Sequence, residues 1–180
     1  MASKLDVLDQ ENRKKNIILS GLNLKTFSSV VQGSDHNAQV DPQPEEKATM
    51  MEKVIKFASK NNVTIHKDDI ESVIPLRYRS FKPGNPQRTL IRFRSQEVQQ
   101  RFYEMRFNLK QTFPDTYITE DLTKNNAELF KMARDLRKGK KVLSTWTKNC
   151  VIYVKTMPST TRPSRYVSIK CKDDIYKLQN

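Results

Sequence analysis

Residues 118–155 read ITEDLTKNNAELFKMARDLRKGKKVLSTWTKNCVIYVK, and this stretch carries the clearest structural pattern in the chain. Thr123 is a candidate N-cap for a helix that runs to about Lys138, and a β-hairpin centred on Lys148 and Asn149 follows. At 100° per residue, the helix separates into an apolar and a basic face. The apolar face holds Leu129, Phe130, Met132, Ala133 and Leu136. The basic face holds Lys124, Lys131, Arg134, Lys138 and Lys141. The apolar face is expected to pack, and the basic face contacts either water or an anionic partner.

The distribution of charge bears on that choice. The chain has 180 residues and a formal charge of +13, and residues 123–180 hold 14 Lys or Arg against 4 Asp or Glu, a net of +10. Such a concentration is typical of a surface that neutralises phosphates. An anionic membrane is the competing partner, but the chain has no run of about 18 apolar residues. We therefore expect a nucleic-acid partner and no membrane association.

Residue types with catalytic or metal-binding chemistry are few. Cys150 and Cys171 have no Cys or His neighbours at metal-ligand spacing, and His36 and His66 lie far from any nucleophile motif. The four glycines form no phosphate-binding loop. We therefore expect a protein that is not an enzyme, needs no cofactor or metal and keeps its thiols reduced. The N-terminal residues 1–15 lack the apolar core of a signal peptide, which predicts an intracellular location, in the cytoplasm or the nucleus.

The rest of the chain predicts an α+β organisation in three parts. Residues 1–15 place Leu5, Leu8 and Asn12 at the a, d and a positions of a heptad, which indicates a coiled-coil remnant or a capping helix. Residues 16–122 have the order strand, helix, strand, strand, helix, strand, the split βαβ pattern of a ferredoxin-like, RRM-like domain. Its predicted strands are 16–22, 70–79, 88–95 and 116–122, with helices at 45–61 and after Ser95 and a mobile loop at 23–47. Residues 123–180 form a small basic α+β domain with strands at 142–147, 151–156 and 165–170 and a terminal helix at 173–179.

The predicted strand at 88–95 carries a second basic feature. Alternation places Thr89, Ile91 and Phe93 on one face and Arg88, Leu90, Arg92 and Arg94 on the other. Guanidinium groups pair bidentately with phosphate and also stack on bases, which favours binding through backbone charge with weak sequence preference. The alternative is that these arginines pair with acids such as Glu71 or Glu97.

Aromatic residues provide a third candidate feature. Trp146, the only tryptophan, and Tyr153 and Tyr166 lie in neighbouring predicted strands. If they are exposed beside Lys148, Lys155 and Arg165, they form a platform on which each stacked base contributes about 1–3 kcal/mol. Aromatic residues at strand spacing also form cores, and that alternative stays open. The loop at 157–164 precedes Arg165 and contains Arg162, and both arginines are placed to close over a bound strand.

Several of these segments together resemble a known family. They are the strands NIILSGL and RTLIRFRS, the helix QQRFYEMRFNLK and the stretch at 118–155. They are similar to the RNA-binding protein encoded by the first open reading frame of LINE-type retrotransposons, and equally to the few-polyhedra (FP) protein of baculoviruses and its insect relatives. The resemblance covers residues 5–156 apart from 23–47. It is most specific at EDLT, at the ARDLRKGK run and at the W-T-x-N turn.

The resemblance implies an oligomerising coiled coil, an RRM-like central domain and a basic C-terminal domain. Together they bind single-stranded RNA, or less readily DNA, with little sequence preference and act as a nucleic-acid chaperone. Its basic contacts fall here on Arg88, Arg92, Arg94, Arg134, Arg137 and Lys138. Relatives often have Gly at position 150, so Asn149 is expected to take the positive φ of the turn.

We expect the arginine-faced strand and the basic helix to form one groove for a single strand. The predicted binding set is Arg88, Arg92, Arg94, Lys131, Arg134, Arg137, Lys138, Lys141, Trp146, Lys148, Arg162 and Arg165. The strand at 88–95 lacks the exposed aromatics of an ordinary RNP1 motif. That absence, with the FP resemblance, leaves a second expectation. It is a viral structural or adaptor protein whose basic face binds an acidic protein partner, such as another virion protein, during assembly.

Overall fold

The computed structural model of the chain describes residues 4–22, 24, 44–76, 86–159 and 163–178. The fold is α+β with antiparallel sheets, which confirms the predicted class. The chain divides into two compact units. The central unit is Lys15–Thr119, and the terminal unit combines Met1–Lys14 with Glu120–Asn180. Where the sequence predicted residues 1–15 as a separate segment, the structure groups the first 14 residues with the C-terminal part.

The helices and strands follow one another in this order: α1 (Lys4–Arg13), β1 (Asn16–Ser20), α2 (Pro44–Lys60), β2 (Ile70–Leu76), β3 (Arg88–Phe93), α3 (Gln96–Glu104), α4 (Leu109–Thr112), β4 (Tyr117–Glu120), α5 (Lys124–Lys138), β5 (Val142–Lys148), β6 (Val151–Thr156), β7 (Tyr166–Ile169) and α6 (Lys172–Tyr176). The predicted strands and helices are present, with ends that differ by a few residues.

The central unit contains a four-stranded sheet in the order β2-β3-β1-β4. Strand β3 is antiparallel to both β1 and β2. One face of the sheet packs against α2 and α3, because side chains alternate along each strand. The core on that face includes Ile17, Leu19, Met50, Val54, Phe57, Ile91, Phe93, Val98 and Phe102. Along β3, Thr89, Ile91 and Phe93 are buried while Arg88 and Arg92 are exposed, which confirms the predicted alternation.

The helix after β3 is interrupted. The Ser95 hydroxyl oxygen accepts a hydrogen bond from the Val98 backbone N–H at 3.2 Å, so the helix predicted after Ser95 begins with a side-chain cap. The apolar residues that recur at helical spacing in this segment are all buried: Val98, Phe102, Met105 and Leu109. The backbone nevertheless tightens into a 3₁₀ turn at Met105–Phe107 before α4 begins. A 3₁₀ turn is common at the end of an α-helix, and it keeps the apolar series against the core.

The terminal unit contains a three-stranded antiparallel sheet in the order β5-β6-β7. Helices α5 and α6 pack on one face of it. The core there consists of Leu129, Ala133, Leu136, Val142, Ile152, Val154, Ile169 and Ile175. Helix α5 begins as predicted, since the Thr123 hydroxyl oxygen accepts a hydrogen bond from the Asn126 N–H at 3.3 Å. Phe130 and Met132, also predicted to pack, are half-buried at the edge of this core.

The hairpin between β5 and β6 corrects the predicted turn by one residue. Lys148 pairs with Val151, so the two turn residues are Asn149 and Cys150. Asn149 has a φ of 52°, as predicted, but Cys150 also has a positive φ, of 62°. A two-residue turn of this kind requires positive φ at both central positions if its twist is to match that of the strands. Cys150 therefore takes a conformation that favours glycine.

Helix α1 is attached to the terminal unit through its polar side. Buried Gln10 donates a hydrogen bond to the Asp121 carbonyl oxygen at 3.0 Å, and Arg13 forms an ion pair with the Asp121 carboxylate at 3.2 Å. The heptad residues Leu5 and Leu8 lie away from this contact and are 77% and 54% exposed. A helix is thus present in the segment predicted as a coiled-coil remnant or a capping helix, and its apolar edge is turned outward.

Parts of several predictions fall outside the described residues. The predicted loop at 23–47 is described only at Leu24, which is buried, and from residue 44, where α2 begins. The end of the strand predicted at 70–79 and Arg162 are also outside the described residues. Of the helices in the described ranges, none is both long and apolar enough to cross a membrane.

Candidate nucleic-acid interface

Three aromatic side chains contact one another on the face of the terminal sheet that α5 and α6 leave uncovered. The rings of Trp146 and Tyr153 are stacked, with centroids 5.8 Å apart and planes inclined by 16°. Tyr166 meets the Trp146 indole edge to face at 5.7 Å and 83°. Tyr166 is 68% exposed, and Trp146 and Tyr153 are half-buried. We call Trp146, Tyr153 and Tyr166 the aromatic face.

The register of the three strands explains how the aromatic face forms. Trp146 on β5 lies opposite Tyr153 on β6, and Lys155 lies opposite Tyr166 on β7. The neighbouring residues Ile152 and Val154 point to the other face and are buried against α5. Because side chains alternate, the same strands supply both a core and an aromatic surface. The sequence left open whether these aromatics were core or surface, and the structure locates them outside the main core.

Cations surround the aromatic face. Lys155 Nζ lies 5.6 Å from the centroid of the Tyr166 ring, within range of a cation–π interaction. Lys148 is two residues from Trp146 on β5, so the two side chains share a face of the sheet, and Lys148 is exposed at the end of the strand. Arg165, predicted to lie beside these rings, is exposed but does not share their face: its backbone pairs with Thr156, so alternation places Arg165 on the side of the sheet opposite Tyr166. Flat rings beside positive charges suit a ligand that has both flat apolar groups and negative charge.

The predicted basic residues of α5 lie on a different side of the same unit. The apolar side of α5 packs on the covered face of the sheet, so its outward side points away from the aromatic face. The predicted residues on or just after α5 are all exposed: Lys131, Arg134, Arg137, Lys138 and Lys141. The Arg134 guanidinium lies 5.1 Å from the Phe130 ring centroid, and Lys138 pairs with Asp135 at 3.5 Å. That ion pair is exposed and contributes little. The terminal unit thus has two separate basic surfaces.

Two of the three predicted arginines of the central unit lie on the same face of its sheet. Arg88 and Arg92 project from β3 on the face opposite the core, and Arg94 is exposed just beyond the strand. Within the described ranges, none of these three guanidinium groups forms an ion pair with an acid. The alternative in which Glu71 or Glu97 neutralises them is therefore not observed. Their charge is available to an anionic ligand.

Cys150 is an unreactive thiol in this arrangement. It is buried in the hairpin turn, and burial raises its pKa to about 12, with the nearby carboxylates of Glu120 and Asp121 adding to the effect. The thiolate is the reactive form of cysteine. A pKa this high therefore opposes nucleophilic or redox chemistry at Cys150. Cys171 is half-buried, and its Sγ lies 3.5 Å from the Asp174 carboxylate. Among the residues the structure describes, no three His, Cys, Asp or Glu side chains cluster as metal ligands would.

One exposed aromatic residue escaped the sequence prediction. Tyr117 on β4 is 57% exposed, whereas its neighbours Ile118 and Glu120 are buried. Alternation in the YITE strand was the available signal, since it separates Tyr117 and Thr119 from the two buried positions. The strand was predicted only as the end of a domain, and its outward side chains were not considered as ligands.

Comparison of the chain with models of known protein families finds no match, and comparison with curated proteins finds none either.

Proposed function

We propose that this protein binds single-stranded nucleic acid, RNA more readily than DNA, with little sequence preference and without catalysing a reaction. The observation that carries the proposal is the aromatic face of the terminal sheet. Its three rings offer flat surfaces for bases, and Lys148 and Lys155 supply positive charge for the phosphates beside them. Every base has a stacking face, so such a surface is tolerant of sequence.

The central unit supports the same proposal. Its strand order, β2-β3-β1-β4, and its alternation of strands and helices are those of the split βαβ pattern, which favours an RRM-like domain. Its outer face carries Arg88 and Arg92 without an acidic partner among the described residues. Arginines in that position favour contacts to the phosphate backbone over reading of base edges. The resemblance to the LINE and FP proteins points in the same direction.

The experiment that tests the proposal removes the most exposed ring of the aromatic face. Tyr166→Ala is expected to weaken binding of a single-stranded oligonucleotide by roughly 5- to 150-fold, equivalent to about 1–3 kcal/mol for one stacked base. Binding is measured by fluorescence anisotropy of a labelled oligonucleotide at fixed, low salt. The matched control is Tyr176→Ala, because Tyr176 is also an exposed tyrosine of the terminal unit but belongs to α6, on the covered side of the sheet.

Two results would refute the proposal. One is an intact protein that does not bind single strands even at low salt. The other is a Tyr166→Ala variant that binds as tightly as Tyr176→Ala.

A second candidate function is an adaptor that binds an acidic protein. The separation of the two surfaces favours it, since the basic side of α5 points away from the aromatic face and stays accessible when a ligand covers that face. A protein partner that remains bound after complete nuclease treatment and is lost in Arg134→Ala with Lys138→Ala would support the adaptor. Loss of every partner after nuclease treatment would refute it.

A further inference from the structure

The outer face of the central sheet has an ordered arrangement of side chains. Register places Ser20 opposite Arg88 and Asn16 opposite Arg92, with Ile18 opposite Leu90 between them. Leu90 is in turn opposite Ile74 on β2. An apolar row of Ile18, Leu90 and Ile74 therefore runs across the sheet, with Ile18 buried and the other two half-buried. On each side of it lies a row that contains one arginine.

Contacts at the other edge of β1 add Tyr117 to one of these rows. The Thr119 hydroxyl lies 3.4 Å from the Ile18 carbonyl oxygen. A Cβ atom on Gly21 would lie 1.9 Å from the Asp115 carbonyl oxygen, so the two backbones touch there. These two contacts, with the outward direction of Tyr117 and Thr119, assign Tyr117 to the position beside Ser20, and hence to the row that contains Arg88. Neighbouring strands are about 4.8 Å apart, so Tyr117 and Arg88 lie about 10 Å apart across β1.

Alternation along β4 directs the Tyr117 side chain outward, and an exposed aromatic ring at that position is free to contact a ligand. Its side chain is 57% exposed and, among the described residues, makes no hydrogen bond or ring contact. Arg88 is likewise exposed and has no acidic partner in the described ranges. The exposed Tyr117 ring and the exposed Arg88 guanidinium group match a base and a phosphate of one strand in chemistry and in scale.

We propose that Tyr117 is a base-stacking residue of the central unit, and that Arg88 binds a phosphate of the same single strand. The inference rests on the proposed function and deepens it, because it adds to the central unit a base contact that phosphate binding alone does not provide. Stacking of a neutral base releases no counterion, whereas contact of a guanidinium with a phosphate does. The two residues therefore have different signatures in a salt titration.

The test compares three variants, Tyr117→Ala, Tyr117→Phe and Arg88→Ala, in binding a labelled single-stranded oligonucleotide over a range of salt concentrations. Tyr117→Ala is expected to weaken binding at least fivefold with an unchanged slope of log affinity against log salt. Tyr117→Phe retains the ring and is expected to bind as the unmodified protein does. Arg88→Ala is expected to lower the magnitude of the slope by about 0.7, the value for one phosphate contact to a single strand.

A photocrosslinking measurement provides a second readout that loss of folding would not mimic. An oligonucleotide that contains 5-iodouracil is irradiated with the unmodified protein, and the crosslinked residue is identified by mass spectrometry. An adduct at Tyr117 supports the inference.

Two results overturn it. If Tyr117→Ala binds as the unmodified protein does while Tyr166→Ala is weakened, this inference fails and the proposed function stands. If the unmodified protein binds no single strand at all, both fail.

Discussion

The side-chain oxygen of Gln10 lies 2.8 Å from the backbone nitrogen of Thr123, a residue 113 positions further along the chain. The same oxygen accepts a second hydrogen bond from the Asn126 side-chain amide at 2.9 Å. Thr123 is itself the N-cap of α5, so Gln10 joins α1 to the start of that helix. The beginning of a helix leaves backbone N–H groups without intrahelical partners, and one buried glutamine satisfies a donor at this point.

Replacing Gln10 with alanine should therefore destabilise the terminal unit. We expect Gln10→Ala to lower the free energy of unfolding by about 2 kcal/mol, because the buried Thr123 N–H would lose its acceptor. Urea denaturation followed by tryptophan fluorescence reports on this unit alone, since Trp146 is the only tryptophan. Asn12→Ala, an exposed position of the same helix, serves as the control. Equal stability of the two variants would show that the Gln10 contacts contribute nothing.

The positive φ of Cys150 leads to a prediction about two small substitutions. Ala retains the Cβ atom that makes this conformation costly, whereas Gly removes it. Cys150→Gly should therefore be more stable than Cys150→Ala by about 1 kcal/mol, as measured by urea denaturation. Comparison within the pair cancels the loss of the buried thiol, which both variants share.

The opposite order is expected at Ser144, a residue of strand β5, where glycine is the weaker choice. If Gly were less stable than Ala at position 150 as well, the turn would not have the conformation described.

The two cysteines should differ sharply in reactivity. Between about pH 8 and 9, an ordinary thiol with a pKa near 8.5 is substantially ionised and reacts with a disulfide reagent. Burial raises the pKa of Cys150 to about 12, so its thiol should stay protonated and unreactive there, whereas the Cys171 side chain is only half-buried and is accessible to the reagent. Thiol titration of the folded protein should count one reactive group, and Cys171→Ser should abolish it. Rapid reaction of a second thiol before denaturation would contradict the burial of Cys150.

The basic side of α5 should contribute to binding affinity only when the nucleic acid is long. Because it lies on the opposite side of the terminal unit from the aromatic face, a short oligonucleotide on that face does not reach it, and a long strand does. The double variant Arg134→Ala with Lys138→Ala should weaken the binding of long strands of every sequence alike. It should also lower the magnitude of the slope of log affinity against log salt by about 1.4, for two phosphate contacts.

The control for this double substitution is Lys172→Ala with Lys177→Ala, which removes the same charge from exposed positions around α6. A loss limited to one sequence, or a loss equal to that of the control, would remove α5 from the binding surface.

Local features of the fold could be predicted because short segments of sequence determine them. The Thr123 cap, the Ser95 cap and the alternation along β3 each depend on a few consecutive residues, and each is present. The predicted turn was wrong by one residue because it, too, was judged from a few consecutive residues. Cysteine is an uncommon residue at positive φ, so the prediction assigned that conformation to Asn149 alone, whereas Cys150 adopts it as well.

Features that depend on tertiary contacts could not be predicted from the sequence. Nothing near Gln10 indicates that it pairs with Thr123, because that contact joins distant segments. The separation of the α5 side chains from Trp146 also follows from which face of the sheet the helix covers, and periodicity alone does not specify that face. Tyr117 shows the same limit, since its neighbours across the sheet come from β1 and β3.

The most direct measurement of the central claim uses the fluorescence of Trp146. As the only tryptophan, and as a member of the aromatic face, it reports on stacking at the proposed site without a label. Titration with single-stranded RNA should quench its emission to saturation, and the derived affinity should fall linearly with salt on a log–log plot. An unchanged emission under low-salt conditions in which anisotropy shows the RNA to be bound would contradict binding at the aromatic face.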